Sequence, residues 1–204
     1  MAHIMHALSH LAMADASPTL WYLTRALAIA AYITLALSVI LGMLRTIARR
    51  SGEQLTWIVD DLHAFVASIA GILVLGHMVT LYLDPFLPFP LKNLLIPQPD
   101  QPYRTLAVNL GIFAFYAMLA LLLSSWARRR LAYRVWRVVH ALSFVAVILV
   151  TIHGLLAGSD SDEPWMHALY GGTSAALIFL TLYRLVVQPR RAPSMETPPE
   201  LFAE

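Results

Sequence analysis

The sequence predicts an all-α protein, an integral membrane bundle of five transmembrane helices with its N-terminus outside and its C-terminus in the cytosol. Three observations carry this. The 204 residues are 59% hydrophobic and 13% charged, a balance too apolar for a domain that lives in water. Five charge-free runs exceed the roughly 18 residues that mark a membrane span. Between those runs the arginines gather on one side.

Taken in order, residues 1–19 form an external segment without the basic start of a cleaved signal peptide. They read as a short interfacial helix with His3, His6 and His10 on one face, followed by Trp21 and Tyr22 at headgroup level. The charge-free runs are Ala26–Leu44, Leu62–Leu83, Thr105–Ala127, Val138–Ser159 and Pro164–Tyr183. Each is long enough, at about 1.5 Å per residue, to cross roughly 30 Å of hydrocarbon. The connector DPFLPFPLKNLLIPQPDQPYR (Asp84–Arg104) is too rich in proline to continue a helix. The bundle is expected over residues 20–187, and the polar, Pro-rich tail 188–204 is expected to be disordered in the cytosol.

Cationic side chains set the direction. Arg45, Arg49 and Arg50 follow the first run, Arg128, Arg129, Arg130, Arg134 and Arg137 follow the third, and Arg184, Arg190 and Arg191 follow the fifth. The other side has only Arg25, Lys92 and Arg104, and its last loop, Asp160–Glu163, is acidic. Arginines kept in the cytosol place the N-terminus outside. The absence of cysteine excludes disulfides, iron–sulfur clusters and thiolate haem ligands. No phosphate-cradling glycine motif is present, and nothing points to a nucleic-acid partner.

Four of the eight histidines fall within two spans. His63 and His77 lie on the second, His140 and His153 on the fourth, and both spans run in the same direction. Depth therefore pairs His63 with His140 near the cytosol and His77 with His153 near the outside, with the two levels roughly 20 Å apart. Imidazole in hydrocarbon is costly unless its nitrogens are used. Interhelical hydrogen bonding would use them singly. Zinc wants about four ligands in one place, and a proton or metal relay needs ionisable groups at mid-depth, which these runs lack. Facing imidazoles on two helices are what the axial positions of a haem iron require. One feature of the pattern is awkward. A 14-residue step returns His77 to nearly the face of His63, whereas the 13-residue step from His140 to His153 leaves them more than a quarter-turn apart at 100° per residue. Either the fourth span is overwound or bent, or its histidines approach their haems from different sides.

These spacings, with WYLTR (Trp21–Arg25), LDPF (Leu83–Phe86), PYR (Pro102–Arg104), SS (Ser124–Ser125) and RRRLAYRVWRVVH (Arg128–His140), resemble the ferric reductase-like transmembrane domain shared by ferric reductases and NADPH oxidases. The resemblance covers residues 20–187. It implies two b-type haems with all four histidines as axial ligands to iron. It also implies electron transfer from a cytosolic flavoprotein or quinol to an external acceptor in the plasma membrane. No flavin- and nicotinamide-binding domain is expected after the last span, so NADPH oxidation is not expected of this polypeptide alone. It is similar also to the haem subunit of the bacterial methionine sulfoxide reductase system, so a separate external reductase is an alternative partner. A haem-free histidine-relay transporter is the rival from another class.

Haem propionates are anionic and suit the planar guanidinium fork. Arg134 and Arg137, with Arg45 and Arg49, are candidates on the cytosolic side, and Arg25 and Arg104 on the outer side. Gly71 between His63 and His77, Gly76 before His77 and Gly154 after His153 are candidates for close approach of a porphyrin or for helix packing. Phe65, Phe113, Phe115 and Phe144 are aromatic candidates for haem contact. The terminal histidines could hold an external metal ion.

Overall fold

The structure is a computed structural model that describes residues 19–51, 56–85 and 87–186. The expected interfacial helix with its three histidines, the tail 188–204 and Phe86 lie outside those residues. Six α-helices are described: α1 (Thr19–Ser51), α2 (Thr56–Leu83), α3 (Leu91–Leu95), α4 (Thr105–Trp126), α5 (Tyr133–Ala157) and α6 (Pro164–Val186). A single 3₁₀ turn, Arg128–Arg130, joins α4 to α5. All but α3 are long and apolar enough to cross a membrane, so the chain is a multi-pass membrane protein.

Three of the spanning helices run well past the charge-free runs. Helix α1 takes in Arg25 and continues to Ser51, α2 begins before Asp60 and Asp61, and α5 already contains Arg134 and Arg137. Charge marks where hydrocarbon ends, but it does not stop a helix. Arginine is a good helix former and lets its long stem reach the interface. Proline does stop one. Pro85 follows Asp84 at the end of α2, whereas Pro164 starts α6, where its missing N–H costs nothing.

Helix α1 packs along α2, and α4 along α5, making two hairpin-like pairs. Helix α1 also touches α5 and α6, and α2 touches α4. Buried side chains cluster at two levels: Tyr32, Met166 and Tyr170 in one, Val39, Met43 and Val147 in the other. Many large apolar residues face outward, among them Ile72, Leu106, Val138 and Phe179, as a bundle in lipid requires. Helices α2 and α5, which carry the four histidines, are not among the extensively packed pairs. Their facing surfaces leave room.

The Pro-rich connector 84–104 folds back over one end of the bundle. Amide side chains hold it: Gln101 donates to Asn109 Oδ1 (2.9 Å), Asn109 donates to the Gln98 carbonyl (2.7 Å) and Asn93 donates to Gln101 (3.0 Å). Tyr116 of α4 donates to the Leu95 carbonyl (2.8 Å), pinning α3. The connector buries Phe89 and Leu94 beneath it.

Candidate functional site

At the arginine-rich end, His63 of α2 and His140 of α5 face one another across the bundle. Their ring centroids are 6.0 Å apart and their planes cross at 80°. At the opposite end, His77 and His153 line one cleft together with Ala28, Leu35, Phe115 and Val150. That cleft encloses about 850 Å³ of space free of protein atoms, part of it open to the surroundings. Phe89 and Leu94 from the connector line the cleft. The structure thus brings the histidines together in the depth-matched pairs read from the sequence.

Main-chain carbonyls orient three of the four rings. His63 Nδ1 lies 2.8 Å from the Ser38 carbonyl, His77 Nδ1 3.1 Å from that of Thr24, and His153 Nδ1 2.7 Å from that of Ala107. A carbonyl only accepts, so each Nδ1 carries the proton and each Nε2 is left with its lone pair. That is the tautomer a metal-binding histidine needs, with its second nitrogen already fixed. The acceptors come from the helix that precedes each histidine's own: α1 for His63 and His77, α4 for His153. The fourth ring differs. His140 Nδ1 is buried without a partner, and the ring instead stacks on Trp136, one turn earlier, at 4.8 Å and 22°.

Helix α5 is α-helical throughout Tyr133–Ala157. The 13-residue step leaves its two histidines in different company: His153 bonds to α4, while His140 stacks on Trp136 and faces His63.

Glycines make the close approaches possible, though not those nearest the histidines in sequence. A Cβ on Gly111 would sit 2.7 Å from His153 Nδ1, and one on Gly42 would sit 3.2 Å from His63 Cε1. Gly71, Gly76 and Gly154 face Leu122, Leu27 and Tyr170 instead, which is helix packing. Gly42 and Gly111 lie on the two neighbouring helices, so no sequence spacing on α2 or α5 points to them.

Two imidazoles per level is the donor set. Among the described residues, no three of His, Asp or Glu gather as a metal-ion site. Two imidazoles that shared one metal ion from opposite sides at about 2 Å would have ring centroids roughly 6 Å apart. The His63–His140 spacing fits this. The residues present therefore suit a haem at each level, and the apolar cleft around His77 and His153 suits a porphyrin's faces.

The charged candidates have varied surroundings. Arg25 forms a two-pronged ion pair with Asp160, its Nε donating over 2.9 Å, and lies over the Trp21 ring at 4.2 Å. This clamp ties α1 to the connector between α5 and α6. Arg104, the one non-glycine residue with positive φ among those described (32°), donates to the Leu156 carbonyl and caps the start of α4. Arg45 pairs with Asp60, joining α1 to α2 (3.0 Å). Arg134 and Arg137 are exposed at the start of α5. The side chain of Arg49 lies outside the described residues. Of the aromatic candidates, Phe115 lines the cleft, Phe144 packs against the cluster of Val39, Met43 and Val147, and Phe65 and Phe113 face outward.

The Arg25–Asp160 clamp is half-buried, so removing one partner strands the other. Asp160→Ala is expected to lower the unfolding free energy by about 1–3 kcal/mol. The double variant with Arg25→Ala should cost less than the two single changes added together. Thermal unfolding in detergent reads both.

No curated protein and no solved structure gives a match to the chain. The model of one family does, the ferric reductase like transmembrane component, over residues 27–151. The matched region begins within α1, takes in His63, His77 and His140, and ends just short of His153. With five apolar helices and histidines paired at two levels, the chain belongs to the ferric reductase-like transmembrane family.

Proposed function

We propose that this protein is a two-haem b-type cytochrome that carries electrons across the plasma membrane. In this reading the arginine-rich end faces the cytosol. There the pair His63 and His140 holds the inner haem, and His77 with His153 holds the outer one. The observation that carries the reading is the set of three Nδ1–carbonyl hydrogen bonds, which leaves an Nε2 lone pair on His63, His77 and His153. Two of these three rings, His77 and His153, line one cleft, where a free lone pair can meet a ligand.

Haem iron, when bound, supplies one-electron chemistry by alternating between ferric and ferrous forms. The chain's own groups do the rest. Helices α1 and α4 fix the imidazole tautomers, while the walls of the cleft at the outer level are apolar. Two imidazoles at each level would hold a haem from both sides, and an external acceptor would then take its electron without binding the iron. Arg104 is the better outer partner for a propionate, because Arg25 already has the carboxylate of Asp160. Arg134 and Arg137, exposed at the start of α5, can meet propionates of the inner haem. The donor is a cytosolic flavoprotein or quinol.

A reduced-minus-oxidised visible spectrum with haem quantification tests this. Two low-spin b haems per chain are expected. A folded but colourless preparation, from cells supplied with haem, would falsify the reading and leave a histidine relay.

A further inference from the structure

The two histidine pairs are not equivalent. Both members of the His77–His153 pair donate through Nδ1 to main-chain carbonyls, whereas in the other pair only His63 does. His140 Nδ1 and the indole Nε1 of Trp136 are both buried without a partner. The two rings are held face to face, and the Arg128 guanidinium lies 4.7 Å from the Trp136 ring centroid. Stacking thus does for His140 the positioning that a carbonyl does for the other three.

The difference has a redox consequence. An imidazole whose N–H donates to a carbonyl becomes a more basic ligand at its other nitrogen. A more basic ligand favours the more positive iron, so hydrogen bonding around the ligands is one of the levers on potential. The His77–His153 site has that help twice and the His63–His140 site once. A positive charge beyond Trp136 acts in the same direction, since it favours the reduced and less positive site.

Resting on the two-haem reading above, we propose that Trp136 is a positioning residue. It holds His140 where no acceptor reaches Nδ1, and so sets the His63–His140 haem at a higher midpoint potential than the His77–His153 haem. An electron delivered at the arginine-rich end then rests there. The acceptor, or a membrane voltage negative on the cytosolic side, draws it outward.

Potentiometric titration of the purified, haem-loaded protein, followed by its visible spectrum, is expected to resolve two components. Gly111→Ala, whose added Cβ meets the His153 ring, marks the His77–His153 component as the one it shifts or removes. The other component is expected to have the higher midpoint. Trp136→Gln places an amide oxygen one turn from His140 and is expected to lower that midpoint alone, with a change in its low-spin EPR signal. Trp136→Phe keeps a stacking ring and should leave the midpoint in place. A lower midpoint for this component in the unmodified protein overturns the proposal, as does a Trp136→Gln shift that is absent or shared by both. If Trp136→Gln does not fold, the order in the unmodified protein decides. A preparation that binds no haem overturns the two-haem reading instead.

Discussion

Replacing His153 by alanine is expected to reduce haem content from two per chain to one, with the His63–His140 component retained. The change removes the only ligand that α5 offers at its level and leaves the Ala107 carbonyl without its donor. The cleft around it is lined by Ala28, Leu35, Val74, Phe115, Met118 and Val150, which supply no substitute nitrogen. His77→Ala should give the same result from the other side. His63→Ala and His140→Ala should take the inner haem and spare the outer one. Haem quantification per chain with the spectrum of each variant reads the pattern. If the His63 and His153 variants lost the same haem, the pairing by depth would be wrong, whatever the total.

Gly111→Ala is expected to match His153→Ala in effect although it touches no ligand atom covalently. Its Cβ would stand 2.7 Å from Nδ1 and 2.8 Å from Cε1 of His153, closer than real Cβ contacts come. The helix cannot yield easily, because α4 is packed along its length on α5 and interiors transmit such strain. The ring must therefore rotate away, giving up both the Ala107 carbonyl and its aim at the gap. Loss of the outer haem with helicity unchanged by circular dichroism is the expected outcome. Gly71→Ala is the control. Its Cβ meets only the end of the Leu122 side chain, which can swing aside, so both haems should stay. Gly42→Ala, at 3.2 Å from His63 Cε1, should weaken the inner haem without removing it. Equal behaviour of Gly71→Ala and Gly111→Ala would show that general packing, and not the ring's placement, is what the glycine protects.

Much of the architecture was legible in the chain because the cause is local. Hydrocarbon demands long apolar runs with every main-chain group bonded inside a helix, so the five spans follow from hydropathy alone. Depth is nearly a linear coordinate in such a bundle. For that reason His63 could be matched with His140, and His77 with His153, by counting residues from the nearest charge. The helices extend beyond the charge-free runs because the bounding charged residues belong to the helices themselves, as Arg25, Asp60 and Arg134 show.

Side-chain direction and second partners were not legible, because neither depends on distance along the chain. That Arg25 is taken by Asp160 depends on how α1 meets a connector 135 residues away. Which glycines press on a histidine depends on rotation of the neighbouring helix, and a residue on α4 has no sequence relation to one on α5. The sequence by itself determined that four imidazoles lie at two levels of a five-helix membrane bundle. Only the tertiary structure decided which nitrogen His63, His77 and His153 present and what His140 rests against, since that follows from a carbonyl or an indole brought by packing to within a few ångströms.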